Sequence, residues 1–269
     1  GMFTFIPRPT ITGFTPVNGG NTTVVTITGN NFTSGVNVNT VRFGATFGGA
    51  VNASSFTVDS DTQITATVAA GATGSVWVEK PDAGAPTANR RHNLAGFTYF
   101  LAPTITTFTP TVRGPGMTVT ITGTNFTGAT QVSFGGINAA SFVVDSPTQI
   151  TATIAAAGAT GSVAVTTPGG TAIQPGFTFV PAPTITMFAP LSAMQGNNVV
   201  ITGTNFTDAT QVRFGGVNAA SYVVDSPTQI TAVVGVGASG HVEVTTPGGT
   251  ATQAGFTFLI TPPTITGLT

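Results

Sequence analysis

The chain has 269 residues, of which only 6% are charged, with a net charge of -1, a pI of about 6.0 and no cysteine. Seven basic residues spread this thinly give no stripe to follow a nucleic-acid backbone, and the missing thiols exclude disulfides and Cys-ligated zinc. Mean hydropathy is positive at +0.35, yet Thr, Gly or Asn breaks every apolar run short of the ~18 to 20 residues of a spanning helix, so no membrane insertion is expected and the apolar content belongs to strands.

Gly1 before Met2 reads as a remnant of tag removal, and residues 1–8 form a leading segment without targeting information. Pro9-Thr10-Ile11-Thr12 then opens a block that restarts at Pro103, Pro183 and Pro263. The expected units are therefore 9–102, 103–182 and 183–262, with 263–269 as the first strand of a truncated fourth repeat. Such units exceed the ~20 to 45 residues of solenoid repeats that cannot fold alone, so each should carry its own core. Units two and three are near copies: between Thr122–Thr153 and Thr202–Val233 only Gly128/Asp208, Ser133/Arg213, Ile137/Val217, Phe142/Tyr222 and Thr153/Val233 differ.

In unit one, Ile27-Thr28-Gly29-Asn30-Asn31-Phe32-Thr33 is the turn that returns as Ile121–Thr127 and Ile201–Thr207. Further on, unit one departs from the others. The span from Val76 to Phe97 is longer than that from Val163 to Phe177, because the tight Thr-Pro-Gly-Gly-Thr hairpin gives way to an inserted loop, 79–92. Trp77, Lys80, Arg90, Arg91 and His92 are candidate contact residues here, since hot spots favour Trp and Arg and loops on rigid sandwiches carry function. The plainer reading is a solvated hairpin tip, with Trp77 covering a sheet face.

In unit two, Thr118-Val119-Thr120-Ile121-Thr122 alternates apolar and polar residues, with β-branched threonine on the outward side, as a half-buried strand does. Strands are likewise predicted at 131–134, 149–154, 162–166 and 177–179, with glycines between them at the spacing of a sandwich. In the Gly-x-Asn-Phe turn, Gly123 is expected to take a positive φ, Asn125 to bond its own backbone, and Phe126 to plug the core. Phe32 and Phe206 are its counterparts, and Phe134, Phe142, Ile150 and Phe177 should meet it.

No catalytic, cofactor or metal site is expected. His92 and His241 stand in different units, and Asp145 and Asp225, each in Asp-Ser-Pro-Thr-Gln, read as turn-forming residues because one carboxylate is too few for calcium.

Pro-x-Ile, Val-x-Ile-x-Gly-x-x-Phe, Val-x-Phe-Gly-Gly, Gln-Ile-x-Ala, Thr-Pro-Gly-Gly-Thr and Phe-Thr-Phe together resemble the IPT/TIG family of immunoglobulin-like domains. The resemblance covers three whole units and implies an all-β fold of three tandem immunoglobulin-like (E-set type) β-sandwich domains in an extended array. The family occurs in cell-surface receptors, Rel-type transcription factors and bacterial surface and secreted proteins. The Thr-rich, Cys-free repeats look most like the bacterial surface arrays, which implies a non-enzymatic structural or adhesive spacer, monomeric, at the cell surface or extracellular. Its partners would be neighbouring domains of the same chain and a cell-surface glycan or protein. A glycan-binding accessory region of a secreted polysaccharide-degrading enzyme is the alternative and needs exposed aromatics, for which Trp77, Tyr99 and Tyr222 are offered. A Rel-like DNA-binding region would need basic loops that only unit one begins to supply, so no nucleic-acid partner is expected.

Overall fold

The computed structural model describes residues 6–71, 73–81 and 90–260. The expected fourth repeat, 263–269, and the tip of the unit-one insertion, 82–89, lie outside the described residues. In unit one the strands are β1 (Thr10–Thr15), β2 (Asn18–Gly19), β3 (Val24–Asn30), β4 (Thr40–Gly44), β5 (Val51–Asn52), β6 (Ser55–Ser60), β7 (Gln63–Thr67), β8 (Gly74–Glu79) and β9 (Arg91–Tyr99). They form one sheet in the order β1-β3-β7-β6 and a second in the order β2-β9-β8-β4-β5. All pairs are antiparallel except β2 with β9, where the chain, having crossed between sheets after β1, lies parallel along the edge. Units two and three repeat both sheets with the same connectivity. The fold is all-β: three immunoglobulin-like sandwiches in tandem.

Alternation produces each core. In Thr118–Thr124, Val119, Ile121 and Gly123 are buried while Thr118, Thr122 and Thr124 are exposed. The inward residues of the two sheets meet as one cluster per unit, containing Phe126, Phe134, Ile150 and Phe177 in unit two, with Phe142 packed at its margin. Phe32, Phe126 and Phe206 are each 0% exposed, as expected of core plugs.

The Gly-x-Asn-Phe turn works differently from the sequence expectation. The left-handed residue is the asparagine: φ is 63° at Asn31 and 58° at both Asn125 and Asn205. The glycine is needed for close approach instead, because a Cβ on Gly123 would lie 1.8 Å from the Thr104 carbonyl oxygen and 2.6 Å from the Phe126 ring. Asn125 does not bond its own backbone either. Its Nδ2 donates to the Ala102 carbonyl at 2.8 Å, as Asn205 does to Ala182 at 2.9 Å and Asn31 to Arg8 at 3.0 Å. The turn therefore also holds the segment leading into its own unit.

Candidate functional site

Two regions of the array differ from generic sandwich surface: the joints between units, and the outer face of unit one. The joints are built from glycine. Gly169, in the Thr-Pro-Gly-Gly-Thr hairpin of unit two, sits against Gly20 of unit one, and Gly248 of unit three sits likewise against Gly114 of unit two. A Cβ on Gly20 would lie 2.1 Å from the Gly169 carbonyl oxygen, and one on Gly114 would lie 2.0 Å from that of Gly248. The hairpin glycines also press on the linkers, since a Cβ on Gly169 would meet the Leu101 carbonyl oxygen at 2.1 Å and one on Gly248 that of Pro181 at 2.2 Å. Buried Thr167 and Thr246 fix the hairpins by accepting the N–H of Gly169 and Gly248, both at 3.1 Å. The sequence marked the hairpin as a turn but gave no sign that it touches the preceding unit.

Unit one replaces this device at its leading end. Lys80 occupies the strand position of Thr167 and is 1% exposed, with Nζ donating to the carbonyls of Pro7 at 3.1 Å and Ser34 at 2.6 Å. Burial pushes its ammonium pKa down, and the negative charge of Asp61 opposes the shift. Asp61, which stands where the other units have Pro147 and Pro227, accepts four hydrogen bonds at Oδ1 from the N–H and hydroxyl groups of Thr33 and Ser34. Those bonds, led by the Thr33 N–H, hold its carboxyl far below the usual carboxylate range.

The other four candidate contact residues are engaged within the unit. Trp77 lies on the outer sheet face with Nε1 donating to the Gly44 carbonyl at 2.9 Å. Arg91 Nε reaches Glu79 Oε1 at 2.8 Å, and Arg90 reaches the same oxygen at 3.5 Å. His92 Nδ1 accepts the Ile11 N–H at 3.0 Å, which ties β9 to the opening strand. Burial, aided by the Arg8 charge, lowers the His92 pKa below its ordinary value. A depressed histidine favours the folded state while neutral, so its contribution is complete above the unfolded value of about 6.5 and is lost as pH falls below it. The melting temperature of unit one should accordingly drop between pH 7.5 and pH 5, and His92→Asn, whose Oδ1 can accept the same N–H without titrating, should flatten that drop. An unaltered pH profile in the variant would contradict the assignment.

Sequence reasoning missed Arg42 and Phe47. Unit one is longer between Phe43-Gly44 and Val51 than unit two is between Phe134-Gly135 and Ile137, and this was the signal available. The extra residues carry Phe47 back over the sheet, where its ring meets Trp77 edge-on at 5.8 Å between centroids. The guanidinium carbons of Arg42 and Arg91 stand 4.3 Å and 3.7 Å from the Phe47 centroid.

Among the described residues no group of three or more His, Asp or Glu could hold a metal ion, and no helix is long and apolar enough to cross a membrane. Asp145 and Asp225 turn their Oδ2 to the hydroxyls of Thr151 and Thr231, at 2.8 Å and 2.7 Å, bracing a hairpin.

The IPT/TIG domain model matches residues 9–99, 103–180 and 183–260. The chain belongs to the IPT/TIG family. No curated protein matches it in sequence. Among solved structures it is similar to SGBP-B from a complex xyloglucan utilization locus in Bacteroides uniformis, at 23% identity and a TM-score of 0.29, over 58% of this chain and 49% of that one. It is also similar to the plexin A4 extracellular region, at 16% identity and a TM-score of 0.32, over 94% of this chain and 34% of that one. A third is FdeC, an Escherichia coli adhesin, at 15% identity and a TM-score of 0.27, over 94% and 96%. The chain thus spans half or less of the first two, and likenesses at these identities and TM-scores carry no argument about what it does.

Proposed function

We propose that this IPT/TIG chain, with units 9–102, 103–182 and 183–262, is a non-enzymatic structural and adhesive spacer array of a bacterial cell-surface or secreted protein, working outside the cell, in which the second and third units space the contact residues of the first. The observation that carries this reading is the repeated glycine joint. The same hairpin meets the same turn at both junctions, at opposite poles of unit two, so contacts of one kind propagate head to tail.

The alternative, a glycan-binding accessory region that stacks sugars on aromatic rings, lacks its platform. Every large apolar residue exposed among the described residues is aliphatic, and Trp77, Tyr99 and Tyr222 are half-buried.

Because the chain has no cysteine, spin labels introduced at Ser141→Cys and Ser221→Cys, equivalent exposed positions in units two and three, report the second joint without background. The expected result is one narrow distance distribution that broadens in Gly114→Val, with the melting curve of each unit kept. A broad distribution before the glycine is changed would remove the fixed joint, and with it the spacer reading.

A further inference from the structure

The outer faces of the three five-stranded sheets can be compared row by row, because residues paired across antiparallel strands share a face. The same row reads Asn138–Ser133–Ala164–Ile173 in unit two, Asn218–Arg213–Glu243–Thr252 in unit three and Asn52–Arg42–Trp77–Asn93 in unit one. Unit two carries no charge there. In unit three Arg213 faces Glu243, with Nη1 and Oε2 4.0 Å apart. In unit one the position of that carboxylate is Trp77, so Arg42 keeps its charge without a cross-strand acid.

What Arg42 has instead holds it in place. Its Nε donates to Asn52 Oδ1 at 2.7 Å and its Nη1 to the Phe47 carbonyl at 2.9 Å. Its guanidinium lies over the Phe47 ring, which Arg91 also covers. Glu79 pairs with Arg90 and Arg91. The result is a pre-ordered cationic ledge around Arg42, on a unit whose four basic residues are matched in number by four acidic ones, so the positive charge is concentrated by position rather than by composition.

We propose that this ledge, around Arg42, Phe47 and Arg91, binds a carboxylated polysaccharide. The proposal rests on the spacer reading, with unit one as its contact-bearing unit. Planar guanidiniums held rigid match carboxylates with two parallel hydrogen bonds and lose little freedom on doing so. Guanidinium groups already lie over the Phe47 ring, which takes from it the stacking surface a neutral sugar uses and the apolar anchor an acidic protein segment uses. Exposed amides of Asn52 and Asn93, at the two ends of the row, suit hydroxyl groups.

The test is affinity electrophoresis of the full chain through gels containing polygalacturonate, its methyl ester or poly-glutamate, at low and physiological salt. Retardation by polygalacturonate that weakens with salt, with none by the methyl ester, is expected. Arg42→Gln should weaken it about tenfold, the scale of one lost charge-assisted pair, and Arg42→Lys should restore only part of that, while Arg213→Gln leaves it unchanged. Absence of retardation, equal binding of the methyl ester, equal or stronger binding of poly-glutamate, or an unaffected Arg42→Gln variant would each overturn the proposal. None of these outcomes alters the label distances across the second joint, so failure here and failure of the spacer reading stay distinguishable.

Discussion

Phe126→Ala is expected to remove about 3 to 5 kcal/mol from unit two. Its ring is 0% exposed and belongs to the cluster that joins both sheets of the unit. The ring cannot be replaced by collapse, because the turn that carries it is held on both sides. The Phe126 N–H donates to the Pro147 carbonyl at 2.9 Å and Asn125 holds the linker at Ala102, so truncation leaves a cavity rather than a relaxed loop. A unit of this size has roughly 4 to 12 kcal/mol of stability in all, so the substitution consumes a large share of it. In urea melts of the full chain one of three unit transitions should move to much lower denaturant while the other two stay. A loss below about 1 kcal/mol would mean that the ring is not the plug of the core.

Gly123→Ala is the second large effect, expected at about 2 to 3 kcal/mol, the upper range for overpacking. The added methyl would fall 1.8 Å from the Thr104 carbonyl oxygen, and that atom is backbone of the paired opening strand, which registers Ile105 against Gly123. A side chain could swing away from the methyl, whereas the strand can only separate. A Cβ on Gly29 or Gly203 would lie at the same 1.8 Å from the carbonyl oxygen of Thr10 or Thr184, so Gly203→Ala should cost unit three a similar amount. Gly136→Ala provides the contrast: no atom lies within 4 Å of its Cβ position, and φ is 84°, so only backbone strain of about 1 to 2 kcal/mol remains. Equal melts for Gly123→Ala and the unsubstituted chain would show that the opening strand is not packed there.

The sandwiches were legible because their determinants are local and periodic. Alternating Val, Ile and Thr states which face is buried, and the buried Phe at the end of each Gly-x-Asn-Phe turn follows from its place after a strand. Roles set by residues distant in sequence were not legible. Asn125 resembles a turn former until the fold brings Ala102 to it, and Lys80 resembles an exposed loop residue until Pro7 and Ser34, far away along the chain, present their carbonyls. The exchange of roles between Gly123 and Asn125 has the same origin: a glycine in a turn suggests torsional freedom, and only the paired strand reveals that space is what it supplies. The ledge on unit one was half visible, through Trp77 and Arg91, while Phe47 and Arg42 became meaningful only with the cross-strand register in hand.

Small-angle X-ray scattering of the monomer decides whether the units form an extended row fixed by glycine joints. A single unit has a radius of gyration of roughly 12 Å and a compact body of the whole length about 18 Å. Unit centres about 35 Å apart, set by strands of seven to ten residues and their loops, give a straight row of three about 31 Å. About 25 to 33 Å is expected, a rod with modest bends at the joints, whereas about 20 Å or less would mean that the units pack side against side and would contradict the extended row.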